Sequence, residues 1–441
     1  MKRSTAPSGV NRAQRRDSDP ALNNTLFMQV LSTANLREAW KQVRSNRGAA
    51  GVDGITIEAY SDWIRPRWAS VRQQLIDGSY QPSPVKRARI PKDDGTQRLL
   101  GIPTVLDRVI QQAIVQILSP LFDPSFSEYS YGFRPKRSAH SALRHVRQCC
   151  LRGHRIAVDI DLSKFFDRVN HDKLMTLLGR RIRDKSLLRL IGRYLRAGVQ
   201  DGSTLLPSHE GVPQGGPLSP LLSNVMLDPL DKELTVRGHR FARYADDLII
   251  MVKSKRAGKR VLAGVTRFIE RDLKLKVNAV KSQVVKCSQC KFLGFRIHGR
   301  NLRWHPRSIE KFKYRVRALT NRTWGVSMET KIRELSTFLR GWINYYGIGN
   351  QYQLCVDLDH WIRRRIRMCY WKQWRKPRTK IRNLIKLGLP ARAAIACGLS
   401  SKGWWHSAKS HGINAALSKQ YLKAQGLFSL RDGWVSFHYG R

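Results

Sequence analysis

Apolar positions at Leu26, Val30, Leu36, Trp40 and Val43 recur at helical spacing and predict helix over residues 25–76, interrupted by the glycine-rich stretch Gly48–Gly54. Pro82, Pro84 and Pro91 then punctuate short β-prone pieces, and residues 86–103 read as a hairpin turning at Asp93–Thr96. A helix is expected from Asp107 to Leu118, stopping before Pro120. Residues 155–160 have the composition of a buried strand, Asn170 is placed to cap a helix running through Leu178, and residues 218–236 read as an amphipathic helix. Phe241–Val252 is apolar except for Arg243 and the pair Asp246, Asp247, which predicts a hairpin with carboxylates at its tip. Residues 291–298 read as one more strand. From about 300 to 390 the pattern is helical and strongly basic, and a tail bearing Gly, Ser and Trp follows. There is no internal repeat.

Charge changes this picture. Lys and Arg number 81 against 32 Asp and Glu, a formal net charge of +49 over 441 residues. Such an excess attracts a polyanion, and each phosphate neutralised releases condensed counterions. The cations run along the whole chain and alternate with aromatics, so nucleic acid is the expected partner rather than a generic solubilising surface. The seven cysteines fit a reducing compartment; Cys287 and Cys290 form a single C-x-x-C with no second pair and read as ordinary thiols. No run approaches the ~20 apolar residues of a membrane span. Residues 1–24 are basic and Ser-rich, yet Asp17 and Asp19 fit a transit peptide poorly, so a loosely held nucleic-acid arm is expected there.

Two acidic features carry candidate chemistry. Asp159 and Asp161 stand at the end of the strand over 155–160, and Asp246 and Asp247 follow Tyr244-Ala245 between apolar stretches. Carboxylates crowded at strand ends repel one another unless a divalent cation sits among them. Two such ions stabilise both the attacking oxygen and the departing pyrophosphate in nucleotidyl transfer. Asp159 and Asp161 are two apart and face the same side of a strand, so spacing does not choose between them. An Asp-Asp pair at a hairpin tip is alone a weak signal, since many are turns.

Taken in order along the chain, from about residue 45 to 430, these motifs resemble the group II intron-encoded reverse transcriptases, or intron maturases. Tyr244–Asp247 matches the catalytic Tyr-x-Asp-Asp box, and Asp161-Leu-Ser-Lys-Phe-Phe-Asp167 resembles the second catalytic box. The resemblance implies Asp161, Asp246 and Asp247 as catalytic metal ligands for two Mg²⁺ ions, with Mn²⁺ as an alternative, and leaves Asp159 as second choice. It makes Phe166 the aromatic gate that excludes a ribose 2′-hydroxyl, with Phe165 a core residue. Gly211–Asn224 matches the template- and nucleotide-positioning box, placing Gln214 under the incoming nucleotide and the glycine pair Gly215-Gly216 where backbone approaches closely. Lys92 and Arg98 match residues that grip the triphosphate of a dNTP. Tyr131–His140, with Arg134 and Lys136, matches a block along the primer–template path. Leu275–Ser282, with Lys281, and Phe292–Phe295 match later palm and primer-grip blocks, and Tyr244 itself is expected against nucleic acid.

The implied fold is α+β: a right-hand polymerase with an N-terminal extension (1–72), fingers and palm with an antiparallel sheet (73–300), an all-α thumb or maturase domain (301–388) and a small basic DNA-binding segment (389–441). Nine of the twelve Trp fall after residue 300, among cations that include Arg363, Arg364, Arg367, Lys372 and Arg375. Arg serves phosphates and aromatics stack on unpaired bases; Trp342, Tyr345 and Tyr346 are expected to pack. The resemblance implies an RNA-directed DNA polymerase that copies intron RNA, binds that RNA to assist splicing, takes an RNA template with DNA primer, meets target DNA and works in the cytoplasm. The chain reaches Arg441 without a Cys-rich nuclease module, so priming from pre-existing ends is expected. Two other readings stand beside it: an RNA-binding splicing factor with a vestigial polymerase site, and a reverse transcriptase of another bacterial retroelement.

Overall fold

A computed structural model describes residues 25–91, 95 and 97–440. The expected N-terminal arm over 1–24, and Lys92 with most of the turn at Asp93–Thr96, lie outside the described residues.

The first helical stretch is four helices: α1 (Thr25–Val30), α2 (Thr33–Ser45), α3 (Tyr60–Ile64) and α4 (Trp68–Asp77). Ser32 caps α2 by accepting from the Asn35 amide, and Val43 and Ala39 face inward. The hairpin follows as β1 (Val85–Pro91) and β2 (Gln97–Ile102), antiparallel from Lys86↔Ile102 to Pro91↔Gln97.

The next helix, α5 (Val105–Phe122), is longer than expected at both ends. Thr104 accepts from the Asp107 amide and starts it two residues early. Pro120 lies within the last turn instead of ending the helix. A proline there forfeits one backbone bond but keeps a helical φ, and the burial of Leu118 and Phe122 holds the turn in place.

The chain continues through α6 (Ala139–Leu151), β3 (Ile156–Ile160), α7 (His171–Gly179), α8 (Lys185–Arg196), β4 (Val199–Asp201), β5 (Thr204–Leu206), α9 (Ser219–Val236), β6 (Arg240–Tyr244), β7 (Asp247–Val252), α10 (Lys255–Asp272) and β8 (Gln283–Lys286). Asn170 caps α7 as expected, accepting from Lys173 N at 2.8 Å. The palm sheet has the order β6-β7-β3-β8, antiparallel throughout. The fingers sheet has the order β2-β1-β4-β5 and is not wholly antiparallel: β1 and β4 pair in parallel through Val85↔Val199 and Lys86↔Gln200. The long crossover between them makes a parallel pair feasible.

The strand expected over 291–298 is shorter, β9 (Phe295–His298), and it pairs with β10 (Asn301–Trp304), which lies where helix was expected. Helices then run to the end: α11 (Pro306–Leu319), α12 (Met328–Tyr346), α13 (Tyr352–Gln373), α14 (Pro377–Lys386), α15 (Ala391–Gly398), α16 (Trp404–Ser407), α17 (His411–Ala416), α18 (Lys419–Ala424) and α19 (Leu430–Tyr439).

The palm strands are apolar on both faces because both are covered. Val158, Ile160, Leu248 and Ile250 face one core with α5, α9 and α10. Ala157, Ile249 and Met251 face the other, which continues through Phe295 and Trp304 into the helical half and on to Leu430 and Trp434. No change of core marks residue 300 or 389. Trp342, Tyr345 and Tyr346 pack in this second core, Trp342 stacking on Tyr346 at 4.0 Å. The plan is α+β, the right-hand arrangement of fingers, palm and helical thumb that the sequence resemblance implies.

Candidate active site

Strand register places the acidic residues at one end of the palm sheet. The last pair between β3 and β7 is Ile160↔Leu248, so Asp161 follows directly at the edge where β7 begins with Asp247. On the other side β7 turns to β6, with Tyr244↔Asp247 closing the hairpin. The segment after β3 is fastened to residues 276–282: Asn278 N donates to Asp161 O at 2.8 Å, Asp161 N donates to Ser282 Oγ at 3.1 Å, and Ser163 N donates to Lys276 O at 2.8 Å. The later palm block therefore fixes the backbone that carries Asp161.

The carboxylates feel one another. Asp247 lies at the surface, yet enough protein surrounds it that desolvation, followed by the charges of Asp246, Asp159 and Asp161, pushes its pKa up to about 6. Asp246 is also raised, first by desolvation; a backbone hydrogen bond opposes this, Asp161 adds to it, and Arg98 and Arg243 offset it. Asp159 is raised by desolvation, but its Oδ2 accepts from Gln283 Nε2 at 3.2 Å, so part of its capacity is spent inside the sheet. Hard oxygen donors crowded against one another suit a divalent cation such as Mg²⁺. Among the described residues no group of three His, Cys, Asp or Glu side chains is closed tightly enough to hold a metal by itself. The donor chemistry fits a divalent cation.

The turn that carries Asp246 and Asp247 is held from behind. Ala245 has φ +58°, a left-handed conformation that a non-glycine residue adopts only when its surroundings hold it there. Arg243, fully buried, spends its whole fork on this task. Nε donates to Asp231 Oδ1 at 2.8 Å, Nη1 to Ala245 O at 2.9 Å and to Asn224 Oδ1 at 3.0 Å, and Nη2 to Ser130 Oγ at 2.8 Å and to Asp231 Oδ2. Asn224 in turn donates to Gly132 O at 2.9 Å. Gly132 lies against the turn so closely that a Cβ on it would stand 2.3 Å from Ala245 N. Phe133, 55% exposed, places its ring 6.4 Å from that of Tyr244. Arg243 looked in the sequence like an interruption of an apolar run; its proximity to an Asp twelve residues earlier, on a helix, was the available signal.

Phe165 is buried in the first core, and Phe166 is half-buried against it, the rings edge-on at 5.0 Å. The Gly211 loop closes over this pair: Val212 N donates to Phe166 O at 2.6 Å, and Gly211 has φ +91° with no room for a Cβ against that same oxygen. Gln214 ties the loop to the fingers, its carbonyl accepting from Gly101 N at 2.7 Å. The glycine pair does permit a close approach, but the approach that is seen is to protein: a Cβ on Gly215 would lie 2.4 Å from Gly101 O. Arg98, exposed on β2, is the finger cation that acts on Asp246; Lys92 lies outside the described residues.

The expected nucleic-acid contacts divide by burial. Lys136, Lys281 and Arg375 are exposed, and Arg363 and Tyr244 are partly so. Arg134 is not available to a phosphate. It is buried, its Nε donates to Asp123 Oδ1 at 2.7 Å, Nη1 to Ser127 O and Ser130 O, and Nη2 to Asp123 O. Its role is to brace the loop before α6. Arg367 is likewise buried, donates to Leu417 O at 2.9 Å, and is brought down to about 10 by desolvation. Arg364 stacks 3.9 Å over Trp405 and donates to its carbonyl, and Lys372 lies 4.6 Å over Trp404; both fasten the last helices to α13.

Residues 90–297 match the family model for reverse transcriptase (RNA-dependent DNA polymerase), and residues 309–388 match the group II intron maturase-specific domain. The chain is 31% identical to Protein YkfC of Escherichia coli over 71% of its own length and 95% of that protein's. It is 36% identical to the group II intron-encoded protein LtrA of Lactococcus lactis over 48% of its own length, which spans 35% of LtrA. Among solved structures, apo telomerase from Candida tropicalis aligns over 85% of this chain and 72% of that one, at 12% identity and a TM-score of 0.44.

Proposed function

The chain belongs to the group II intron-encoded reverse transcriptases and maturases, a family of RNA-directed DNA polymerases, and from this premise we propose that it copies intron RNA into DNA at Asp161, Asp246 and Asp247 and binds that RNA to assist its splicing and mobility. The observation that supports this most is the convergence of those three carboxylates at one end of the palm sheet, where Asp247 is pushed up to about 6 by desolvation and by its acidic neighbours.

Two Mg²⁺ ions, or Mn²⁺ in their place, would supply stabilisation of the attacking 3′-oxygen and the departing pyrophosphate when held by such carboxylates. The remaining work falls to the chain. Arg98, with Lys92, neutralises the triphosphate of the incoming dNTP. The Phe166 ring fills the space under the sugar and rejects a 2′-hydroxyl. Gln214, tied to Gly101, sets the floor on which the nucleotide lies. Tyr244, Lys136 and Lys281 follow the RNA template and DNA primer.

The segment 301–388 acts as thumb and maturase surface through Arg363 and Arg375, and 389–441 meets target DNA. The RNA supplies splicing chemistry, and the protein favours its folded form by binding it. No helix among the described residues is long and apolar enough to cross a membrane. The family's nucleic-acid substrates are the ground on which we propose a cytoplasmic location.

Primer extension on an RNA template, with the parent chain and with Asp246→Ala, tests the reading. Extension by the parent and none by the variant is expected. If the parent assists splicing but never extends a primer, the chain is a splicing factor with a vestigial site.

A further inference from the structure

Between the thumb helices and the last two helices lies a cavity of about 700 Å³ whose lining includes none of the candidate metal-binding carboxylates. Its walls are α12, α13, α18, the Gly426–Ser429 loop and α19. Its volume is that of a small-molecule site. Two aromatic rings line it: Phe428, half-buried, and Phe437, 40% exposed.

Cations outnumber carboxylates around it, with Arg340, Arg363, Lys419 and Lys423 against Asp359 and Asp432. Asp359 reaches the cavity, but its oxygens are spent capping α19. Oδ1 accepts from Leu430 N at 2.9 Å, and Oδ2 accepts from Ser429 Oγ at 2.7 Å and Arg431 N at 3.1 Å. Asp432 is paired with Arg431 at 3.5 Å. Arg340 lies 5.4 Å over the Phe428 ring. The side chains of Arg363, Lys419 and Lys423 line the same cavity with no ion pair or hydrogen bond among the described residues. Three unspent cations stand beside Phe437, whose ring is partly exposed, and Phe428, which has Arg340 over its ring, and such a set suits a phosphate joined to a flat aromatic group.

We propose that this cavity takes a single unstacked nucleotide of a bulged or single-stranded nucleic-acid segment, its base against Phe428 and Phe437 and its phosphate on Arg363, Lys419 and Lys423. The proposal rests on the reading that the chain binds structured nucleic acid, and it adds where and in what form. A peptide would need acidic side chains to meet the same cations and would leave the ring faces without a planar partner. One flipped nucleotide satisfies both at once.

The test is equilibrium binding, by fluorescence anisotropy, of a labelled RNA hairpin carrying one unpaired adenosine, against the same hairpin fully paired. DNA versions of both probes form a second arm. The parent should favour the bulged probe by roughly tenfold in at least one arm, the scale of one base stacking on an aromatic side chain. RNA alone, DNA alone or both names the source. Asn344→Trp, which places an indole in the cavity from α12, should erase the preference while leaving affinity for the paired probe intact. Arg363→Gln, on the rim, should lower affinity for the bulged probe and flatten its salt dependence by about one counterion. Thermal melts confirm that each variant folds, and because Arg363 also belongs to the proposed maturase surface, a loss of bulge preference, and not of affinity alone, is the supporting result.

Equal binding of bulged and paired probes by the parent in both arms overturns the proposal, as does an unchanged preference in both folded variants. Primer extension by the parent, run alongside, keeps the two readings apart. Extension without bulge preference removes only the cavity, and bulge preference without extension removes only the polymerase.

Discussion

The backbone nitrogen of Ala245 lies 2.3 Å from where a side-chain carbon on Gly132 would stand. The two residues are far apart in the chain, yet the turn that presents Asp246 and Asp247 rests on that glycine, and the glycine is fastened by Asn224 to the same guanidinium that holds Ala245 O. Gly132→Ala must therefore displace the turn that carries Asp246 and Asp247. A shift near 1 Å at reacting groups costs on the order of a hundredfold in rate. We expect primer extension to fall by about that factor, with RNA affinity unchanged. A variant with parental extension rate would show that the turn adjusts freely.

Arg243 and Asp231 form an ion pair with neither side chain exposed beyond 1%. Breaking a buried pair by removing one partner leaves an uncompensated charge and costs ~3–5 kcal/mol. Asp231→Ala should lose stability on that scale in urea denaturation and lose extension with it. Arg243→Lys keeps the charge but not the fork, and should also fail to hold Ala245. Parental stability in Asp231→Ala would mean that the pair contributes nothing net.

Phe165 and Phe166 are adjacent and do different work. Phe165→Ala empties a packed core position and should destabilise by ~3–5 kcal/mol. Phe166→Ala should fold well and admit ribonucleotides. The ratio of ribonucleotide to deoxynucleotide incorporation in primer extension checks this, and unchanged sugar discrimination counts against the gate.

Asp107 is buried, and no cation pairs with it among the described residues. Its partners are Tyr80 Oη at 2.8 Å, Thr104 Oγ1 at 2.7 Å and Ser83 N at 3.2 Å, and desolvation raises its pKa above the ordinary carboxylate range despite them. A carboxyl raised on folding binds its proton more tightly in the native state. Its contribution to stability is complete below the unfolded value and is lost as pH rises through the folded one. Parent and Asp107→Asn melting temperatures, compared across that interval, should converge in shape only when this slope is removed. The variant is expected to show the shallower decline, and an identical slope in both would exclude Asp107 as the source.

The strand ends that carry the candidate carboxylates were readable from the apolar runs beside them, although spacing alone did not choose between Asp159 and Asp161. Those apolar runs are strands covered on both faces. What the sequence hid was burial of charge. Arg134, Arg367 and Arg363 look alike as letters, yet the first two spend their donors on backbone carbonyls, and only the third stays open. Arg243 and Gly132 were equally silent, because their partners are brought by β6, α9 and the loop before α6 from separate parts of the chain. Pro120 misled for the opposite reason: a local rule yielded to core packing at the end of α5.

The central claim is that Asp161, not Asp159, joins the two carboxylates of the hairpin tip. Primer extension on an RNA template by Asp161→Asn and Asp159→Asn, side by side with the parent, tests it most directly. The account predicts no detectable extension by the first and substantial extension by the second, whose carboxylate is partly held by Gln283. Extension by Asp161→Asn at the parental rate would contradict it.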